Sequence, residues 1–283
     1  MTIKCSKCDN SAVYLRRHTA ERLCRECIRH TTVDRMRRTI NRYQMLKEDD
    51  RIVVAISGGK DSAVLLDVLF QLEENYEKSE IIPVTIDEGI RGYRDKALLA
   101  AEKLTKSLGL RLRVYSFKDL FDLSLDEIVM KRDEANTVGA CSYCGVLRRK
   151  AINTAAKQLT ADVVATGHNL DDEAQTIMMN MMRGDSLRIL RTNRPRSSPI
   201  PGLIPRVKPM MLLTERDIVA YAHNFSLPYH DFPCPYAIEA YRNDLREFLN
   251  EMEHKRPGTL TAIFRSGETI TKALEENVEP SEF

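Results

Sequence analysis

The chain has 283 residues, 30% charged and 43% hydrophobic, with no tryptophan, which is enough for one core-bearing domain of roughly 200 residues plus a small appendage. No apolar run approaches the ~18 residues that a membrane helix needs. Polar and basic residues fill positions 1–17, where a secretory signal would place an apolar core, so a membrane or secreted protein is argued against and the cytoplasm is expected. The net charge of +2 conceals segregation: residues 1–47 carry 12 Lys/Arg against four acids, residues 183–216 carry eight against two, and residues 267–283 carry one lysine against five glutamates. Two such basic surfaces suit a polyanion, nucleic acid foremost, and they equally fit solvated faces.

In chain order, the first signal is cysteine spacing. Cys5-x2-Cys8 and Cys24-x2-Cys27 stand fifteen residues apart, two knuckles whose four thiolates match the tetrahedral sulfur shell of Zn2+. The segment has few apolar residues to bury reduced thiols, and a metal would supply the folding energy that burial cannot. His18 and His30 are spare donors, but four cysteines already complete the shell. Residues 32–45 follow as a basic helix with Val33, Met36, Ile40 and Tyr43 at helical spacing.

Strands are expected at 51–56, 81–86, 111–115 and 162–166, with helices at 61–73, at 92–108, and between and after the later strands. The Pro- and Arg-rich stretch 183–207 has no helical period and reads as a flexible loop beside the site. From 214 onward the pattern is mainly helical. Alternating strands and helices give an α/β fold, a doubly wound parallel sheet covered on both faces. Three parts are expected: a four-cysteine zinc module over 1–30, a catalytic domain over 31–213, and a helical C-terminal segment over 214–283 that carries Cys234.

Ligands in such sheets sit beyond the C-terminal strand ends. Ser57-Gly58-Gly59-Lys60-Asp61-Ser62 lies between the first large strand and its helix. Its glycines let backbone amides approach an anion, and the helix N-terminus adds a positive end. Lys60 adds a charge, and Ser57 and Ser62 add hydroxyls. A Walker A loop is excluded, because Asp61 follows Lys60 and Val54 stands where that motif needs glycine. The alternative is a well-capped turn and no more.

This string resembles the PP-loop SGGxDS of ATP pyrophosphatases. From the cysteine knuckles to about residue 264 the chain resembles the TtuA/TtcA tRNA thiolation family, nearest its TtuA branch with the archaeal and eukaryotic uridine 2-thiolases. The further elements that carry the likeness are Cys141-x2-Cys144, the run from Ala165 through Thr166, Gly167, His168, Asn169, Leu170 and Asp171 to Asp172, Pro205-Arg206-Val207-Lys208-Pro209, and Pro233-Cys234-Pro235. TtcA-type cytidine thiolases resemble the chain less, because they lack the N-terminal knuckles. The second pair of knuckles common at the C-terminus of TtuA-like proteins does not occur in this sequence.

The resemblance implies an ATP-dependent tRNA thiolase that adenylylates a uridine carbonyl oxygen, releases pyrophosphate, and lets sulfur displace AMP. It assigns ATP to Ser57–Ser62, with Ile86 meeting adenine through its backbone, Asp87 after it, and Gly167 and His168 on the neighbouring loop, and Mg2+ is expected to help neutralise charge at the α-phosphate. Asp172 corresponds to an essential acid that binds Mg2+ or acts as a base. Arg148 stands where the branch often has a catalytic lysine, which leaves charge stabilisation as its role because guanidinium keeps its proton. For His168 an ordinary structural role is equally open, and Asp171 fits a helix N-cap.

Cys141, Cys144 and Cys234 correspond to the ligands of a 4Fe-4S cluster with one iron free of protein ligands. A persulfide at Cys141 or Cys144, resolved as a disulfide, is the iron-independent alternative. An amide-forming PP-loop synthetase and a non-catalytic RNA-binding protein are the readings from other classes. Uridine 34 is favoured over uridine 54, because nothing in the composition signals a thermophile. The sulfur donor is open between a thiocarboxylated ubiquitin-like protein and free sulfide, and a homodimer is expected by family analogy.

Overall fold

The computed structural model describes residues 3–74, 78–131, 139–192, 196, 202–239 and 242–277. With few apolar side chains, the N-terminal module makes only an antiparallel hairpin, β1 (Tyr14–Arg16) and β2 (Glu21–Leu23). Helix α1 (Arg25–Arg42) starts inside this module, with Cys24 as its N-cap, and runs through residue 30 into the main domain. Met36 and Ile40 are buried, whereas Val33 and Tyr43 pack against the core from its edge.

Strand β3 (Arg51–Ala55) is the axis of the larger sheet. Its residues Ile52, Val53 and Val54 are fully buried, so a half-exposed position in the fold is closed to it. Beside it lie β4 (Glu80–Asp87), β5 (Arg113–Ser116), β6 (Val163–Ala165) and β7 (Arg206–Val207), in the order β5-β4-β3-β6-β7. All pairings are parallel. Val53 is in register with Ile82 on one side and Val164 on the other, and these three face one hydrophobic cluster. Ile52, Val54, Val163 and Ala165 face the other. The period of two thus builds two cores from one apolar run, and each needs a helical cover.

Helices α1, α2 (Lys60–Glu73), α7 (Leu170–Met182) and α9 (Glu215–Asn224) bury the first cluster, joined by α3 (Arg94–Ser107) through Ala101 and Leu104. The second lies under α4 (Phe117–Phe121), α5 (Leu125–Met130) and α6 (Ala140–Gln158). The last elements among the described residues are α10 (Arg242–Lys255) and α11 (Thr259–Asn277). Among the described residues no helix is long and apolar enough to cross a membrane.

The expected loop over 183–207 is corrected at two places. Helix α8 (Ser186–Thr192) forms there, because the Asp185 carboxylate accepts from Arg188 N–H at 2.9 Å and Ile189 and Leu190 are buried. Strand β7 is only two residues long, too short to read as a periodic run. Residues 193–195 and 197–201 of that stretch, and most of the acidic tail, lie outside the described residues.

Sheet growth runs from β3 through β4 to β5 in one direction and then resumes at β6 on the other side of β3. The C-terminal ends of β3 and β6 therefore flank the topological switch point, where a crevice opens in such sheets.

One carboxylate ties the N-terminal module to this frame. Asp217 of α9, 1% exposed, accepts from Arg16 Nε at 2.8 Å, Arg35 Nη1 at 2.9 Å and Tyr14 Oη at 3.1 Å. Burial acts to raise its pKa, and the two guanidiniums outweigh that and hold it below the usual carboxylate range. Asp217→Ala, which removes the carboxylate shared by Arg16 and Arg35 and leaves Arg16 with Glu21 as its acidic partner, is expected to cost about 3–5 kcal/mol in urea unfolding. A loss under about 1 kcal/mol would show that the ion cluster does not hold the module.

Candidate functional site

The loop after β3 has a shape that only small residues allow. Gly58 has φ +88°, and a Cβ there would lie 2.4 Å from the carbonyl oxygen of Ala97 in α3. Across the switch point, a Cβ on Gly167 would come within 3.1 Å of the backbone of Asp61 and Ser62. The loops after β3 and β6 are thus in close backbone contact. Ser62 Oγ donates to Gly59 O at 2.9 Å and accepts from Ser57 N–H at 3.1 Å, while Ser57 Oγ accepts from Gly59 N–H at 3.3 Å. Gly59 caps α2 without a side chain, which leaves the first amides of the helix without a side-chain cap to compete with an anion.

Between the loops lies a cavity of about 270 Å3, lined among others by Ser57, Asp61, Ser62, Ile86, Gly167, His168 and Asp172. Most of the expected nucleotide residues therefore meet. Asp87 is occupied locally, its carboxylate accepting from Gly89 N–H at 2.9 Å. Lys60 lines a neighbouring polar cavity of about 160 Å3 that shares Asp61, Asp172 and Arg242 with the first. There its Nζ contacts Glu215 at 2.7 Å and Asp61 at 3.1 Å, and Glu215 also pairs with Arg246 at 2.8 Å. These carboxylates raise the Lys60 pKa against the opposing effect of burial, so it is a cation at neutral pH.

Helix α7 opens with a capping box: Asn169 accepts from Asp172 N–H at 3.0 Å, and the Asp172 carboxylate accepts from Asn169 N–H at 3.2 Å. The cap expected of Asp171 is thus made by Asn169. Asp171 reaches α9 and accepts from Glu215 N–H at 2.8 Å. Burial raises the pKa of Asp172 although Arg242 opposes it. His168 is pushed down to about 4 by burial and by Lys208. Its ring is therefore neutral at pH 7, with Nδ1 2.9 Å from Thr166 Oγ1.

The second chemistry borders the first cavity. Cys141 and Cys144 lie in the first turns of α6, and Cys234 precedes a 3-10 turn (Pro235–Glu239). Cys141 Sγ donates to Tyr236 O at 3.3 Å, while Cys144 and Cys234 pack on the same hydrophobic cluster. Burial pushes the Cys144 thiol up to about 11; Arg148 opposes this, and the charges of Glu88, Cys234 and Cys141 add to it. Among the described residues these three sulfurs do not form a group within 4.8 Å of one another; Cys144 reaches the cavity through Arg148, which lines it. Arg148 Nη2 donates to Cys144 Sγ at 3.4 Å, and its Nε pairs with Glu88 at 2.7 Å. Glu88 also pairs with Arg94 at 3.1 Å, and Arg94 Nη1 donates to Ser57 O at 2.6 Å.

Glu88, Arg94, Arg242 and Glu215 escape sequence reasoning. A signal existed for Glu88, which follows Asp87 at a strand end. None existed for Arg242, whose partner Asp172 lies 70 residues away.

In the N-terminal module the sulfurs of Cys5, Cys8, Cys24 and Cys27 lie within 4.8 Å of one another. Lys7 N–H points at Cys5 Sγ (3.4 Å) and Cys27 N–H at Cys24 Sγ (3.5 Å), the amide–sulfur bonds of a knuckle. This all-sulfur set fits a tetrahedral metal ion.

A PP-loop domain model matches residues 29–253. The cytoplasmic tRNA 2-thiolation protein 1 of Drosophila willistoni is 39% identical over 272 residues, covering 95% of this chain and 78% of the relative. Its Drosophila melanogaster counterpart is 38% identical over 266 residues, covering 94% and 77%. Among solved structures, the U34-tRNA thiolase NcsA from Methanococcus maripaludis, described with its 4Fe-4S cluster, superposes with a TM-score of 0.84 at 32% identity, covering 99% of this chain and 89% of that one.

Asp171 offers a test of the site's electrostatics. Burial, with Glu215 and Asp172 adding, pushes its pKa up to about 6 from 3.8. A raised folded pKa favours folding at pH below the unfolded value, and that advantage is lost as pH rises through the folded one. Asp171→Asn, which keeps an acceptor for Glu215 N–H, is expected to gain about 1–3 kcal/mol at about pH 8 relative to its effect near pH 4, by urea unfolding. An effect equal at both pH values would contradict it.

Proposed function

The chain belongs to the PP-loop family that contains the cytoplasmic tRNA 2-thiolation proteins, and from that premise we propose that it is an ATP-dependent tRNA sulfurtransferase. Its product would be 2-thiouridine, at position 34 as for the archaeal thiolase. The observation that carries this reading is the adjacency of two chemistries: Arg148 lines the nucleotide cavity and donates to the thiol of Cys144.

The C2 oxygen of uracil is a poor leaving group and has to be activated. ATP with its phosphates on Ser57–Ser62 offers its α-phosphorus to that oxygen. As the O–P bond forms, pyrophosphate departs and the N3 proton is lost. We assign Asp172 as its acceptor, because burial raises its affinity for a proton. Sulfur at the sulfide level, as HS−, then attacks C2, the C2–O bond breaks, AMP leaves, and the sulfide's proton passes to N3.

The amides at the start of α2 and the Lys60 ammonium stabilise charge on the departing pyrophosphate, for which Lys60 exchanges Glu215 for phosphate. Asp61, which lines the same cavity, is the carboxylate that would hold Mg2+ with the nucleotide. Arg148, held by Glu88, keeps its charge and stabilises the incoming sulfur as an anion. The thiol chemistry of Cys141, Cys144 and Cys234 fits a 4Fe-4S cluster, which would supply one iron free of protein ligands to hold sulfide. Cys5, Cys8, Cys24 and Cys27 would hold a structural Zn2+. We place the protein in the cytoplasm with its relatives, as a homodimer, drawing sulfur from a ubiquitin-like thiocarboxylate or from free sulfide.

With tRNA, ATP, Mg2+ and sulfide without oxygen, the protein is expected to release pyrophosphate only when tRNA is present and to form 2-thiouridine. Lys60→Ala and Asp172→Ala are each expected to lower product formation by about 100-fold or more, with tRNA affinity little changed. Undiminished 2-thiouridine in either variant would overturn the site assignment.

A further inference from the structure

An aromatic column runs from the glycine loop to the surface beside Cys234. Tyr93 meets the His230 ring edge-on, with centroids 5.3 Å apart, and His230 meets Phe232 at 5.4 Å with a 42° tilt. The inner end is anchored, because His230 N–H donates to Gly58 O at 2.7 Å. Nε2 of His230 is buried without a hydrogen-bond partner among the described residues, so stacking and this backbone bond fix the ring. At the outer end Phe232 is 70% exposed, and Lys96 Nζ lies 5.5 Å from its ring centroid. Phe232 stands two residues before Cys234, so the column joins the segment of that cysteine to the glycine loop.

A single exposed phenylalanine carries no message. Phe232 differs because it ends an ordered stack, has a lysine over its ring, and stands next to both ends of the reaction. An enzyme that modifies a base takes it out of its helical stack. RNA recognition then relies on unpaired bases stacking on aromatic rings, with cations on the neighbouring phosphates.

We propose that Phe232 is a stacking platform for an unpaired base in the loop that carries the target uridine, and that Lys96 takes an adjacent backbone phosphate. The inference rests on the tRNA-thiolase reading and deepens it. It makes Phe232 a determinant of substrate binding rather than of chemistry: the column is tied to the glycine loop through the bond from His230 N–H to Gly58 O, and Phe232 stands two residues before Cys234.

Because the chain has no tryptophan, Phe232→Trp gives a single indole emitter at the platform. An unmodified tRNA transcript is expected to quench its emission, and a blunt RNA duplex of similar length is expected to leave it unchanged. Phe232→Ala is expected to raise the KM for tRNA about tenfold or more and to leave the KM for ATP and the zinc and iron contents unchanged. Phe232→Tyr is expected to restore the tRNA KM.

Equal quenching by tRNA and duplex, or a tRNA KM unchanged in Phe232→Ala, would overturn the proposal. So would an unchanged tRNA KM accompanied by an altered dependence on the sulfur source, which would make the platform a protein-docking point. If the wild-type chain makes 2-thiouridine while these tests fail, only the platform is lost. If the wild type makes none, the thiolase reading falls with it.

Discussion

The carboxylate of Glu88, 2% exposed, lies between two guanidiniums, and the site depends on that contact. Arg94 on one side holds the backbone of the glycine loop through Ser57 O; Arg148 on the other stands over the Cys144 thiol. A buried carboxylate with one cation removed would face a large desolvation cost, so the two arginines and the two loops they serve are placed together or not at all. In this way one side chain just after β4 spans the distance between the glycine loop and the Cys144 thiol.

The same logic of a shared acid recurs elsewhere. Asp217 receives Arg16 and Arg35, which secures a module too poor in apolar residues to dock by burial alone. Glu215 receives Lys60 and Arg246. The first is a sealed interior cluster and serves assembly. The second lines an open polar cavity, where an incoming phosphate can take over the lysine at the cost of one ion pair of modest worth. Burial thus separates a structural ion cluster from a working one, although both are built from the same residue types.

Local patterns made much of this legible in the sequence. The run Ile52-Val53-Val54 announced a doubly covered strand because its side chains have apolar partners on both faces, and the glycine loop after it followed from strand, turn and helix. The knuckle spacing announced the four thiols that now lie within 4.8 Å of one another. What stayed hidden depends on contacts distant in sequence. Arg94 reaches back 37 residues to Ser57, and Tyr236 O receives Cys141 across 95. Helix α8 was missed because its evidence is one capping aspartate and two buried side chains, in a stretch whose arginines and prolines read as loop. Asp171 was expected as a cap, but Asn169 took that place and freed its carboxylate to join α7 to α9.

The proposed function joins a phosphate site and a sulfur site in one chain and makes Cys141, Cys144 and Cys234 the metal ligands of the latter. The most direct measurement is the zinc, iron and acid-labile sulfide content of protein purified without oxygen, compared with Cys234→Ala. The account predicts one zinc and about four irons with matching sulfide per chain, with the iron lost in the variant and the zinc retained. Zinc with no iron, even after anaerobic reconstitution, would contradict it and turn the account to persulfide chemistry at Cys141 and Cys144.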